Sequence, residues 1–155
     1  MAAAERRHRL RLVLLRIGGV DVDFIDDPYL PVIADAGELF TTTEVYIMRG
    51  CPNECHRNAA LFWLKNKCSA IATGYYLGPD GVWRQHSWGV KGNGAILDTH
   101  SAGRRYFGVC FESMEAVKFA EDHVGVVEVL RFMKKSPARF RPIIEKARRS
   151  LTAPH

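Results

Sequence analysis

Between Ser69 and Phe111 the chain runs in short apolar and aromatic stretches separated by glycine-centred turns, a pattern that only closely paired strands satisfy. Gly78-Pro79-Asp80-Gly81 places a proline where a turn fixes φ and glycine where positive φ is wanted. Gly92-Asn93-Gly94 repeats the signal. The spacing predicts strands over residues 69–77, 82–90, 95–99 and 106–111, joined as an antiparallel meander.

A different periodicity precedes them. Residues 41–48 (Thr41-Thr42-Thr43-Glu44-Val45-Tyr46-Ile47-Met48) have strand composition, and residues 53–67 have helix content with Pro52 and Asn53 as start signals. On a helix Cys55, Ala59, Phe62 and Trp63 share one side, while Ala60, Leu61 and Leu64 spread around the rest. A helix apolar all round is expected to be buried. Residues 20–38, with Asp21, Asp23, Asp26, Asp27, Pro28 and Pro31, read as a surface arm or lid. From Met114 to about Asp122 the chain reads as a helix capped by Ser113, and the remainder as helical with breaks near Gly125, Pro137 and Pro142. Helices and strands segregated in this way predict an α+β fold. The length of 155 residues suits one domain, with a core over 49–111 and a helical part over 113–150.

The apolar run Leu12-Val13-Leu14-Leu15 ends at Arg16, short of the roughly 7 to 15 residues of a signal core. No stretch approaches the ~18 apolar residues of a membrane span, so a cytoplasmic location without membrane insertion is the expectation. The net charge of +5 comes mostly from the two ends, above all the last quarter, without the interleaved motif of a nucleic-acid reader. Nucleic acid is therefore not the expected partner.

Cys55 opens the buried helix, where unpaired backbone N–H groups and the helix dipole favour a thiolate and can also hold an oxyanion. Val82, Arg84, His86, Trp88 and Val90 share one strand face, and that mostly apolar face is expected to cover the helix and aim His86 at Cys55. An odd loop around Gly92 or Asn93, or a bulge, puts His86 and Asp98 on one face as direct or diagonal neighbours, whereas a two-residue loop would put them on opposite faces. An aspartate there fixes the imidazole tautomer and steadies its charged form.

Cys55-His56-Arg57-Asn58-Ala59 at a helix start, His86-Ser87-Trp88 in a strand and Ile96-Leu97-Asp98-Thr99 in the next together resemble the core of papain-like and transglutaminase-like thiol enzymes. The resemblance spans about 49–111. It implies Cys55 as nucleophile, His86 as general base and Asp98 as orienting acid, with a peptide or protein amide as substrate and no cofactor or metal. It equally implies acyl transfer or deamidation on the same three residues, and a binding module without chemistry is the alternative of a different class. Asn53 and Tyr46 are candidates for oxyanion support, Asn58 for holding the nucleophile loop, and Trp88, Trp83 and Tyr75 for a substrate groove. Zinc on Cys51, Cys55 and His86 lacks a second close ligand pair, and Cys51 and Cys55 lack redox spacing. Cys68 and Cys110 read as small buried hydrophobes.

Overall fold

The computed structural model describes residues 2–42, 44–103 and 105–152. Among them the order is α1 (Ala3–Ile17), β1 (Asp21–Asp23), α2 (Leu30–Ala36), β2 (Glu38–Leu39), β3 (Val45–Ile47), α3 (Cys55–Leu64), β4 (Ala70–Leu77), β5 (Val82–Val90), β6 (Ile96–Asp98), β7 (Arg105–Phe111), α4 (Ser113–Val124), α5 (Val126–Lys135) and α6 (Pro137–Thr152). The fold is α+β, a mixed and mostly antiparallel sheet with helices. The four central strands lie within a residue or two of the positions their turns and composition predict.

Their connection is not a meander. The order across the sheet is β2-β7-β4-β5-β6-β3, so β7 pairs with β4 rather than with its sequence neighbour β6. β3 runs parallel to β6, and β1 runs parallel to β5. The predicted strand over 41–48 is formed only as β3, and Thr43 lies outside the described residues.

The N-terminal third is more ordered than its composition suggests. Ala3–Ile17, given no element from sequence, form α1, whose Leu10 and Leu14, four residues apart, drop into the core. The predicted arm over 20–38 contains β1 and α2, with Val22, Leu30 and Ile33 buried. Pro31 does not prevent this, because it falls in the first turn of α2, where its missing N–H would have had no helical partner. At the other end, α6 runs through Pro142 instead of breaking there, whereas Gly125 and Pro137 do mark helix boundaries. Ser113 is the first residue of α4 at φ 53° rather than its cap.

Helices cover one face of the sheet. Register places Ile71, Thr73, Tyr75 and Leu77 of β4 beside Gly89, Ser87, Gln85 and Trp83 of β5. The apolar members of this face, with Leu97, Phe107, Val109 and Phe111, form one cluster with Leu10, Leu14, Ile33, Phe62, Trp63, Leu64 and Phe119. Each such side chain contributes about 1.5–3 kcal/mol when fully buried. Arg139 of α6 donates to the carbonyls of Trp63 and Leu64, a cation on the two carbonyls that end α3. The opposite face carries a smaller cluster of Ala72, Trp88, Ile96 and Tyr106, partly covered by Phe40 and Val45.

The face predicted for the helix is thus the wrong one. Val82, Arg84, His86, Trp88 and Val90 point away from α3, and the odd-numbered residues of β5 meet it. The even-numbered set reads as the helix side because most of it is apolar, but polar Gln85 and Ser87 on the odd face are the residues that hydrogen-bond to α3.

Sheet packing is tight at Gly74, where a Cβ would stand 2.0 Å from the Phe107 carbonyl oxygen and 2.5 Å from Gly108 Cα. Backbone atoms cannot rotate aside, so Gly74→Ala should cost about 3 kcal/mol. Urea unfolding monitored by circular dichroism checks this; an unchanged midpoint would contradict the packing.

Candidate active site

β5 has two partners along one edge. β4 occupies its other edge throughout, while β1 pairs with residues 82–84 and β6 with residues 89–90. Residues 85–88 therefore face a gap, and the first turn of α3 sits at it. Gln85 and Ser87 both bond to His56, and Cys55, His56, Gln85 and His86 line one cleft of about 630 Å³. The thiol at the helix start meets through this opening a histidine that belongs to the far face.

The pairing register makes the rest. Gly89 lies opposite Leu97 and Val90 opposite Ile96, an odd loop centred on Asn93 that makes Asp98 a diagonal neighbour of His86. The two side chains are 6% and 1% exposed. His86 Nε2 contacts both Asp98 carboxylate oxygens, at 2.8 and 3.0 Å. Tyr106 donates its hydroxyl to Oδ2 at 2.9 Å, and the Thr99 N–H donates to Oδ1 at 2.7 Å. With Nε2 committed to Asp98, Nδ1 is the nitrogen left for Cys55.

Burial opposes charge on His86, but the Asp98 hydrogen bond and the Cys55 contact outweigh it and raise the ring to about 9. Burial also opposes the Asp98 carboxylate, yet the His86 hydrogen bond and charge, with the Thr99 amide, hold it below the usual range. Tyr106 is pushed up, first by burial and then by Asp98. No local signal marks Tyr106, because it reaches Asp98 from a strand three positions away across the sheet.

The remaining sequence candidates divide. Asn58 is buried and clamps Cys51 at both backbone groups: its Oδ1 accepts from the Cys51 N–H at 2.9 Å and its Nδ2 donates to the Cys51 carbonyl at 2.8 Å. It holds the segment leading into α3. Asn53 lines the cleft at φ 60°, outside the helix, and Glu54 takes the cap position without a capping side-chain bond. The first-turn N–H groups of α3 consequently carry no side-chain cap. Tyr46 lies elsewhere, exposed on β3 with the Lys91 ammonium over its ring. Trp83, Trp88 and Tyr75 do not line a groove: all three are fully buried, Trp83 and Tyr75 beneath the helices and Trp88 on the opposite face. Tyr76, Arg84 and His100 line the cleft instead. Cys68 is buried, and burial raises its thiol to about 11. Cys110 is exposed, contrary to its sequence reading; it lies opposite Ala72 of β4, on the face away from the main core.

His86, Asp98 and His100 bring one donor atom each within 4.8 Å of one another. Both Asp98 oxygens already accept from His86, Thr99 and Tyr106, so this set is committed to hydrogen bonds rather than to a cation. No described helix is long and apolar enough to cross a membrane. Compared with protein-family models, curated proteins and solved structures, the chain matches none.

The two shifts set a pH window for stability. Asp98 contributes fully above its unfolded value near 3.8 and loses that contribution as pH falls through its lowered folded value. His86 contributes fully below 6.5 and loses its contribution as pH rises through about 9. The stability difference between wild type and His86→Gln should therefore be largest between about pH 4 and 6.5 and shrink toward pH 10. Urea titrations across pH measure it, and a difference that grows with pH would reverse the assignment.

Proposed function

We propose that this protein is a cysteine-dependent amide hydrolase, a peptidase or isopeptidase, with Cys55 as nucleophile, His86 as general base and acid, and Asp98 as the group that orients His86. The observation that carries the reading is the meeting of three groups through the gap in β5: the helix-start thiol, a buried imidazole and its carboxylate. The residue order, and a cysteine-bearing helix packed on a mainly antiparallel sheet, support the papain-like or transglutaminase-like resemblance.

Proton transfer from Cys55 to His86 gives a thiolate–imidazolium pair, which Asp98 stabilises from the Nε2 side. The thiolate attacks the amide carbonyl carbon, and the oxyanion is received by uncapped first-turn N–H groups of α3. Collapse breaks the C–N bond, His86 gives its proton to the leaving amine, and a thioester remains on Cys55. Water, deprotonated by His86, attacks the thioester, releasing the carboxylic acid and restoring the thiol.

Iodoacetamide labelling followed by mass spectrometry tests this without a known substrate. At pH 7 Cys55 should label at least about tenfold faster than Cys51, the exposed thiol of the same cleft. His86→Ala should abolish most of the advantage. Asp98→Asn should reduce it and shift its pH profile, since an asparagine cannot stabilise the imidazolium as a carboxylate does. Equal labelling of Cys51 and Cys55 in the folded protein sinks the proposal.

A further inference from the structure

His56, the residue after the thiol, is bound on both sides by the two residues that flank His86. Its Nδ1 lies 2.5 Å from Ser87 Oγ, and its Nε2 lies 3.2 Å from Gln85 Nε2. Ser87 Oγ donates to Thr73 Oγ1 at 2.8 Å, so it receives the bond from His56 and Nδ1 carries the proton. Nε2 is then the lone-pair nitrogen, and the Gln85 amide donates to it. With Ser87 donating to Thr73 and the Gln85 amide nitrogen toward Nε2, the neutral Nδ1–H form satisfies both contacts.

This arrangement answers a question posed by the fold. α3 packs on one face of the sheet and His86 projects from the other, so their meeting depends on how closely the first turn of α3 is held to the unpaired stretch of β5. Alternation along a strand sends Gln85 and Ser87 to the helix side and His86 to the opposite side. A ring tied to residues 85 and 87 therefore fixes the helix start against the backbone of residue 86 itself. We propose that His56 is a positioning residue, whose neutral imidazole clamps Cys55 into register with His86 through Gln85 and Ser87.

The surroundings keep the ring neutral. Burial first, then the nearby His123 and His86, lower His56 to about 4. From α4, His123 stacks on it at 4.6 Å between centroids, and Phe119 meets it edge-on at 5.7 Å. Tyr29, ahead of α2, lies 6.2 Å away and bonds through its hydroxyl to His123 Nε2 at 3.0 Å. Burial lowers His123 as well, with Asp122 opposing. A second positive charge is thus disfavoured beside the imidazolium that the proposed chemistry needs at His86. Sequence gave no reason to single out His56, which reads there only as the neighbour of Cys55.

This inference rests on the thiol–imidazole reading and is tested by two measurements. The first is the alkylation rate of Cys55 relative to Cys51 at pH 7; the second is the titration of the His86 ring by NMR. Since Cys55 contributes to raising His86, loosening the clamp should lower the His86 midpoint while the Asp98 bond remains. In His56→Ala, Cys55 labelling should slow at least about tenfold with Cys51 little changed, because misplacement by about an ångström costs that much or more. His56→Asn, which keeps a donor near Nδ1, should recover most of the rate. If His56→Ala does not fold, Ser87→Ala removes one contact without vacating the ring's site and should move both readouts in the same direction. A folded variant whose Cys55 rate and His86 titration both superimpose on wild type overturns the clamp. Slow Cys55 labelling in the wild type would instead strike the thiol reading, while the His86 titrations still decide whether His56 positions the helix.

Discussion

An imidazole and a carboxylate sealed almost completely from solvent can be held together only where every remaining lone pair and proton finds a partner. For His86 and Asp98 those partners come from separate parts of the chain. The Thr99 amide is adjacent, the Tyr106 hydroxyl arrives from β7, and the Cys55 thiol arrives from α3. Much of the topology serves this satisfaction. The odd loop around Asn93 sets the diagonal, and β7, inserted beside β4 rather than β6, faces its Tyr106 toward Asp98. Removing one member would leave a buried charge unpaired, which costs about 3–5 kcal/mol, more than the pair itself contributes.

The second constraint is the incomplete edge of β5. A continuous partner strand there would separate the helix face from the His86 face completely. Division of that edge between β1 and β6 leaves a window four residues wide, at residues 85–88. α3 is anchored at both ends to use it. Arg139 holds its last carbonyls, while Asn58 and His56 hold the preceding loop and the first turn. An element so fixed presents its first-turn thiol with little conformational freedom, which is the preorganisation the proposed chemistry requires.

Much of this was legible from local pattern. The central strands follow from glycine turns and β-branched runs, because turn chemistry is decided within a few residues. The burial of α3 follows from an apolar sequence with no polar stripe. Cys55, His86 and Asp98 were singled out from helix-start position and residue order along the chain; Cys55 and His86 line one cleft and His86 bonds to Asp98. What failed was long-range. The helix face of β5 was misassigned because the even-numbered set is mostly apolar, whereas Gln85 and Ser87 on the odd face reach the helix through His56. Trp83, Trp88 and Tyr75 were candidates for a groove, with core packing as the alternative, and all three fill the core, as large aromatic rings on central strands commonly do. The supposed arm proved to be β1 and α2, its acidic residues partly spent on Arg7, Arg9 and Arg11 of α1.

By itself, then, the sequence determined the central strands, the buried helix α3 and three candidate reactive residues, all properties that act over one turn or one strand; the odd parity of the hairpin came from the register. Only the tertiary structure decided which face α3 covers, that β5 has a gap, and that Tyr106 and His56 belong to the site. The physical reason is that buried polar groups are satisfied by whatever donors the fold brings near, and those donors lie in strands and helices far apart along the chain.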